Sequence, residues 1–240
     1  MTAGPDAPVP APHPHPQIAQ NGLVFRGMPG CQSRIKSRSS PAKVRLQTIL
    51  AVFLLIPAIM KPAIFFERDG VLNLVETRNH QQLVPKTVEE FHLNTAARPV
   101  LARLQQAGYL ILVTTNQPGV SRGYLPRREL DRMHDVLRRG LPIDDLFLCA
   151  HDDLDRCPCR KPGIGLLTEA AFKYHLNLEH CFVVSDKWQD AQAAQNVGAT
   201  SLLLRSPWIG KGHKDFVLPS LEAIGEKILA GRNSLQAAAS

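Results

Sequence analysis

Short apolar runs alternate with amphipathic segments from residue 61 onward, and this alternation predicts the secondary structure of that part of the chain. The runs at 63–66, 110–115, 146–150, 181–185 and 201–204 are the predicted strands. Apolar residues at intervals of three and four predict helices from Asn94, as N-cap, to Gly108, and at 126–139, 165–175, 190–197 and about 219–230. Strands that alternate with helices favour a parallel sheet covered by helices on both faces.

The predicted fold is therefore α/β, a Rossmann-like, doubly wound parallel sheet of about five strands. This domain occupies residues 61–240. Ligands of such sheets bind beyond the carboxyl ends of the strands, so the residues after each strand are the candidates for chemistry.

Residues 1–60 differ in composition, and we predict a disordered, basic, proline-rich arm with a short apolar run. Residues 1–22 are rich in Pro, Ala and His, and the six basic side chains follow at 26–45. The apolar run at 49–59 is too short for a stable membrane span, which needs about 20 apolar residues. Three interpretations stay open: translation starts at Met60, the arm anchors at a membrane surface, or it is a targeting segment.

The net charge of +7 would favour an acidic partner if it lay on the folded part. Residues 1–60 hold six Lys or Arg and one Asp, so the remaining residues are nearly balanced and no nucleic-acid partner is expected. Three of the five cysteines lie close together beside a histidine, which favours a metal site over disulfides. A reduced, cytoplasmic location is therefore expected.

Polar and charged residues follow each of the first four predicted strands. In chain order they are Glu67 and Asp69; Thr115 and Asn116; Arg160 and Lys161; and Asp186 and Lys187. Clustered carboxylates need a cation between them, and hard oxygen ligands suit Mg²⁺. Arg160, Lys161 and backbone amides would then hold phosphate oxygens, so the pattern indicates phosphoryl transfer. Taken alone, each group is equally typical of a solvated turn or a helix cap.

A sharper pattern is Cys149-x-His151 followed by Cys157-x-Cys159. Three thiols and one imidazole suit tetrahedral Zn²⁺, and four protein ligands leave no open position, so the metal would be structural. Zinc would staple a loop too small to fold alone and would position Arg160 and Lys161 after it. The alternative is a set of buried thiols beside an unrelated histidine.

In this order the segments ERDG, TTNQPGVSRGY, CxHx5CxC with RKP, and SDKWQDAQAA resemble a known family. They are similar to the D-glycero-D-manno-heptose-1,7-bisphosphate phosphatases and the related histidinol-phosphate phosphatases, which are haloacid dehalogenase-like enzymes. The likeness covers about residues 62–204. It implies Mg²⁺-dependent hydrolysis of a small phosphorylated substrate through an acyl-phosphate, by a monomer with a structural zinc.

The resemblance also implies roles for individual residues. Glu67 stands at the position of the nucleophile, and Asp69 stands at that of the general acid and base. Thr115 and Lys161 would hold the phosphoryl group. The implied magnesium ligands are the Glu67 carboxylate, the Asp69 carbonyl and Asp186, and the implied substrate contacts are Asn116, Arg160, Lys187 and Arg78.

The chain departs from the family pattern at the nucleophile, which is an aspartate in the family and Glu67 here. One extra methylene extends the side chain by about 1.5 Å. A misplacement of about 1 Å can cost about 10²-fold in rate. A catalytically silent member that binds phosphate or a partner is therefore the alternative to an active phosphatase. Smaller departures are Ser185, where glycine is usual, and the bulky Trp188.

Overall fold

The computed structural model describes residues 61–79 and 81–238, and the predictions for the arm at 1–60 lie outside these residues. The strands are β1 (Ala63–Glu67), β2 (Asn73–Leu74), β3 (Glu76–Arg78), β4 (Gln81–Leu83), β5 (His92–Leu93), β6 (Leu110–Asn116), β7 (Asp145–Cys149), β8 (Phe182–Ser185), β9 (Thr200–Leu204) and β10 (Phe216–Leu218). The helices are α1 (Ala97–Gln106), α2 (Arg127–Gly140), α3 (Gly165–Tyr174), α4 (Trp188–Asn196) and α5 (Leu221–Ala238). None of these helices is long and apolar enough to cross a bilayer.

The predicted parallel sheet is confirmed, and it has six strands rather than about five. Their order is β10-β9-β8-β1-β6-β7, so β1 lies in the interior between β8 and β6. The extra strand, β10, has only three residues, too few for its apolar pattern to stand out from the preceding loop. The chain turns to opposite sides of β1, which makes the carboxyl end of β1 the topological switch point where ligands bind.

Helices cover both faces of the sheet, and side chains of β1 reach both cores. Ile64 and Phe66 pack with α1, α2 and α5 on one face, whereas Ala63 and Phe65 pack with α3 and α4 on the other. All five residues of β1 are buried. Burial on both faces explains why this strand is a continuous apolar run rather than an alternating one.

The prediction that Asn94 caps α1 was wrong, since the cap residue is Ala96 and it makes no side-chain cap bond. The Asn94 amide instead donates to the Val71 carbonyl at 2.9 Å, and the Asn94 backbone amide donates to the Leu72 carbonyl at 2.9 Å. Asn94 therefore ties the chain before α1 to the segment after β1.

Two small antiparallel pairs lie between β1 and α1 in the chain, and neither was predicted. β2 pairs with β5, and β3 pairs with β4. Two- and three-residue strands carry too little pattern, and β3 is polar and exposed throughout. The β3–β4 hairpin reaches the end of β8, because the Gln82 amide donates to Asp186 Oδ2 at 2.6 Å.

The turn after β1 requires glycine at position 70. The Leu72 and Asn73 amides both donate to the Arg68 carbonyl, and the Gly70 amide donates to the Asn73 carbonyl. Gly70 has a φ of +87°, and a Cβ there would lie 2.4 Å from Asp186 Oδ2. The absence of a side chain therefore lets the ends of β1 and β8 approach each other.

We expect Gly70→Ala to lower the free energy of unfolding by about 2–4 kcal/mol, which combines the left-handed backbone with the clash. Gly123→Ala is the matched control, because Gly123 also has positive φ but has open space around it. This control should cost only about 1–2 kcal/mol. Urea denaturation measures both values, and equal losses would show that the contact with Asp186 is unimportant.

Candidate active site

Residues from the carboxyl ends of β1, β6 and β8 meet in one cleft of about 230 Å³. Of the predicted site residues, it is lined by Glu67, Asp69, Asn116, Arg160, Lys161 and Lys187. Arg78 is exposed in β3 and is not among the lining residues. The convergence expected from the strand order is therefore observed for six of the predicted positions.

Lys161 is the buried cation of this cleft. Its ammonium donates to the Glu67 carboxylate, to Asp190 Oδ1 at 2.6 Å and to the Thr114 carbonyl at 3.2 Å. Burial alone would lower the pKa of Lys161, but the charges of Asp190 and Glu67 outweigh it and raise the pKa. Lys161 is therefore charged at neutral pH. Asp190 was not predicted as a site residue, because its position in the first turn of α4 is equally typical of a dipole-stabilising acid.

Both oxygens of the Glu67 carboxylate are engaged. Oε2 accepts from Lys161, while Oε1 accepts from the backbone amides of Arg68 at 3.1 Å and Asp69 at 3.3 Å. An ammonium and consecutive backbone amides are also the donors that hold phosphate oxygens in proteins. The Glu67 carboxylate thus lies within a donor set suited to a phosphoryl group.

Asp69 is held by Arg68, a fully buried side chain that sequence reasoning missed. Arg68 Nη2 donates to both Asp69 oxygens, at 3.0 and 2.9 Å, and Nε donates to Oδ1 at 3.1 Å. Burial would raise the pKa of Asp69, but the charge and hydrogen bonds of Arg68 outweigh it, with smaller contributions from Lys187 and Gln117, and the pKa is lowered. Asp69 is therefore ionised in this arrangement.

The far side of the Arg68 guanidinium rests on His134 and Phe91. Arg68 Nη1 lies 3.3 Å from His134 Nε2, and the guanidinium lies 5.4 Å from the centre of the Phe91 ring. Burial and the charges of Arg68 and Arg138 lower the pKa of His134 to about 3. A neutral imidazole can accept from Arg68, so His134 supports the cation that holds Asp69.

Thr115 connects to Asp69 through an amide. Gln117 Nε2 donates to Thr115 Oγ1 at 2.9 Å and to Asp69 Oδ2 at 2.7 Å. Lys161 contacts the carbonyl of Thr114 rather than the Thr115 hydroxyl. Gln117 is thus a further site residue, and its only sequence signal was its place in the turn after β6.

Two of the three predicted magnesium ligands share one cation in the structure. Lys187 Nζ donates to the Asp69 carbonyl at 2.6 Å and to Asp186 Oδ1 at 2.8 Å. Burial would lower the pKa of Lys187, but the charges of Glu67, Asp186 and Asp69 raise it. Two oxygens that converge on one ammonium, beside the Glu67 carboxylate, form a hard donor set that fits Mg²⁺.

The cysteines and the histidine of the predicted zinc motif cluster after β7. Their ligand atoms all lie within 4.8 Å of one another. The hydrogen-bonded pairs among them are 3.3–3.7 Å apart: Cys149 with His151 and with Cys157, and Cys159 with His151 and with Cys157. Thiolates around a tetrahedral metal at about 2.3 Å would be separated by about 3.8 Å. The cluster can therefore hold a metal ion.

The segment that follows this cluster brings Lys161 to the cleft and is closely packed on both sides of it. The Gly163 amide donates to the Arg160 carbonyl at 2.7 Å, and the Gly165 amide donates to the Pro158 carbonyl at 2.9 Å. A Cβ on Gly165 would lie 2.8 Å from Cys159 Cα. Lys161 therefore lies in a segment packed closely against the loop that carries the Cys/His cluster, and the expectation that a bound metal positions Lys161 stays a prediction.

Ion pairs fix the outer side of the same loop. Arg160 Nε donates to Asp153 Oδ1 at 2.6 Å. Arg122 bridges Asp152 at 2.6 Å and Asp153 at 3.1 Å. These side chains are partly exposed, so the pairs orient Arg160 at the cleft and contribute little to stability.

Comparisons with known proteins show that the chain is similar to phosphatases of one family. A family model described as HAD-hydrolase-like matches residues 158–222. The chain is 34% identical over 156 residues to the D-glycero-beta-D-manno-heptose-1,7-bisphosphate 7-phosphatase of Pseudomonas putida, which covers 63% of this chain and 85% of that enzyme. The enzyme of the same name from Bordetella bronchiseptica is 30% identical over 181 residues, covering 69% and 97%. The crystal structure of the D,D-heptose 1,7-bisphosphate phosphatase of B. bronchiseptica, complexed with magnesium and phosphate, superposes with a TM-score of 0.62 at 28% identity over 71% of this chain and 99% of that one.

We expect His134 to make stability depend on pH. In the folded protein it stays neutral down to a pKa of about 3, whereas unfolded histidine binds a proton below about pH 6.5. The unfolded state therefore binds more protons in this window, and stability falls as pH drops, with a slope approaching about 1.4 kcal/mol per pH unit. Denaturant titrations from pH 7 to 4 should show that His134→Gln lacks this component, whereas His180→Gln, a change at an exposed residue, retains it. Parallel curves for the natural protein and His134→Gln would contradict the assignment.

We expect one transition-metal ion per chain, bound by the Cys/His cluster. Cys157→Ser should lose the metal, since a serine hydroxyl is a poor replacement for a thiolate ligand. Cys181→Ala is the matched control, because Cys181 is a buried free thiol outside the cluster. Elemental analysis of the purified proteins gives the metal content, and retention of the ion in Cys157→Ser would rule out this site.

Proposed function

Because the chain belongs to the heptose-bisphosphate phosphatase family of haloacid dehalogenase-like hydrolases, we propose that it removes a phosphoryl group from D-glycero-D-manno-heptose 1,7-bisphosphate. The observation that carries this proposal is the single cleft in which Glu67, Asp69 and Lys161 meet beside Asp186. The cytoplasmic location and the monomeric state stay predictions.

In the proposed reaction a Glu67 oxygen attacks phosphorus, and the bond from phosphorus to the ester oxygen breaks. Asp69 gives a proton to the departing alcohol, then takes one from the water that cleaves the acyl-phosphate and releases inorganic phosphate. Glu67 is thereby restored. Lys161, whose charge is maintained by Asp190 and Glu67, would stabilise the negative charge on the transferring group.

The two roles of Asp69 place opposite demands on its proton. While Arg68 holds it ionised, Asp69 is ready to act as a base toward water. To act first as an acid it must carry a proton. The approach of an anionic phosphoryl group raises the pKa of a nearby carboxylate, which favours that protonation.

Magnesium would be held by the Glu67 carboxylate, the Asp69 carbonyl and Asp186, and it would supply positive charge next to the phosphoryl oxygens. In the structure the Lys187 ammonium donates to two of these proposed magnesium ligands, the Asp69 carbonyl and Asp186 Oδ1. With the divalent ion bound, the Lys187 ammonium would be repelled from them and would turn toward the substrate. This accounts for a substrate contact by Lys187 in the proposed function.

For the metal-binding loop we propose structural zinc. The three thiols and one imidazole suit this ion, and together they would fill all four tetrahedral positions. The role of the ion would be to hold the loop from which Lys161 enters the cleft.

One observation favours a second candidate function, a phosphate-binding member without turnover. Both Glu67 oxygens are already bonded, to Lys161 and to the amides of Arg68 and Asp69. A phosphate that displaces Glu67 from these donors would be held by them, while the displaced carboxylate would no longer be placed to attack phosphorus.

Phosphate release from the heptose bisphosphate with Mg²⁺ tests the proposal. We expect the natural protein to release phosphate faster than an Asp69→Asn blank does. Glu67→Asp should be faster than the natural protein by up to about 10²-fold, because an aspartate restores the shorter reach of the family nucleophile. The blank must first be shown to fold by circular dichroism, since it leaves Arg68 without its carboxylate.

If only Glu67→Asp is active, the natural protein is the silent phosphate-binding member. If neither protein is active, the proposed substrate is wrong.

A further inference from the structure

A second cleft opens beside the first one and contains both tryptophans of the chain. This tryptophan cleft has a volume of about 740 Å³ and is lined by Gln81, Gln82, Arg122, Tyr124, Lys187, Trp188, Gln189, Pro207, Trp208 and Gly210. Tyr124, Lys187 and Gln189 also line the 230 Å³ cleft, so the two clefts adjoin.

The walls of the tryptophan cleft are attached directly to the catalytic edge of the sheet. Trp188 is the first residue of α4 and follows Lys187. Trp208 lies in a short turn after β9 that begins at Ser206. The Ser206 hydroxyl donates to the Asp186 carbonyl and accepts from the Trp208 amide at 3.1 Å. The carboxyl ends of β8 and β9 therefore carry the two rings, next to the 230 Å³ cleft.

Core packing does not explain Trp188. Its side chain is 42% exposed, although the first turn of α4 offers buried positions at Asp190 and Ala191. A large exposed aromatic next to an active-site cleft is typical of a ligand-contacting residue.

The volumes of the two clefts indicate which part of the substrate each one can hold. Sites for small organic molecules measure about 300–1,000 Å³, so 230 Å³ suits a phosphoryl group and is too small for a sugar bisphosphate. The tryptophan cleft has the volume for the remaining carbon skeleton. Another adjoining cleft, of about 770 Å³, has it too, but its lining includes the acidic Glu76 and Glu90, which disfavour an anionic ligand.

The chemistry of the lining favours a hydroxylated, anionic molecule. Three glutamine amides can exchange hydrogen bonds with hydroxyl groups, and the aromatic rings offer apolar faces for the C–H side of a sugar ring. The charged residues of the lining, Arg122 and Lys187, are both cations; each is paired with aspartates, and none of these aspartates lines the cleft. Among the residues that the structure describes, Gln189 Oε1 has no hydrogen-bond partner, so this oxygen loses no bond by turning toward a hydroxyl donor.

We propose that the tryptophan cleft is the leaving-group subsite, and that Trp188 determines specificity by packing against the polyhydroxylated carbon skeleton of the substrate. This inference rests on the proposed phosphatase function. The phosphoryl group would lie in the 230 Å³ cleft, and Gln189 would contact the substrate where the two clefts join.

Equilibrium binding without added magnesium tests the subsite, because both tryptophans report on it by their fluorescence. The proteins are the natural chain, Trp188→Ala, and Phe172→Ala as a matched control, since Phe172 is an aromatic of α3 that is 86% exposed and does not line the cleft. The probes are the heptose bisphosphate, histidinol phosphate, ribose 5-phosphate and inorganic phosphate. Trp188→Ala should weaken binding of the heptose bisphosphate by about tenfold and that of inorganic phosphate by less than about twofold.

Equal weakening of the sugar phosphate and inorganic phosphate, or weakening of neither, overturns the subsite. It is also overturned if no ester binds the natural protein more tightly than inorganic phosphate does. If histidinol phosphate or ribose 5-phosphate binds more tightly than inorganic phosphate and the heptose bisphosphate does not, the substrate assignment fails. The effect of Trp188→Ala on that ester then tests the subsite by itself.

Discussion

The buried ammonium of Lys161 joins the parts of the site, because each of its partners comes from a different element. Glu67 ends β1, Asp190 lies in the first turn of α4, and Lys161 itself follows the metal-binding loop. A buried charge without its partner costs about 3–5 kcal/mol. The loop before Lys161, the central strand β1 and α4 are therefore coupled through one cation, and a shift in any of them changes the contacts of Glu67.

The charges around Lys161 are nearly but not fully compensated. Four buried carboxylates, those of Glu67, Asp69, Asp186 and Asp190, face the cations of Lys161, Arg68 and Lys187, which leaves one negative charge among these seven groups. A divalent cation would change this to one positive charge, which favours a phosphoryl dianion. Metal and substrate would thus support each other's binding, since the divalent cation offsets the charge that the phosphoryl group adds.

The sequence was sufficient for five of the six strands of the sheet and for the edge at which the candidate site lies. Strands such as β1 and β6 are buried on both faces, so their apolar runs are unambiguous, and strand order then places their carboxyl ends together. The contacts that organise the site could not be predicted in this way. Arg68 and Gln117 act through distances set by tertiary packing, and a charged residue beside a strand end ordinarily indicates solvent. Asn94 has a helix-capping side chain, but the Val71 carbonyl competes for it.

The Glu67 carboxylate and a phosphoryl group compete for the same hydrogen-bond donors, and ligand contacts in both clefts can decide that competition. Its longer side chain places the carboxylate on Lys161 and on the amides of Arg68 and Asp69, so a phosphoryl group must displace it from those donors. Inorganic phosphate can displace Glu67 only through its own charge. A sugar phosphate would add contacts with the tryptophan cleft, and binding energy from the non-reacting part of a substrate can offset the cost of rearrangement at the reacting centre. On this view the glutamate makes the site more dependent on the leaving group than an aspartate would, because a ligand that fills both clefts gains more binding energy for displacing Glu67 than inorganic phosphate does.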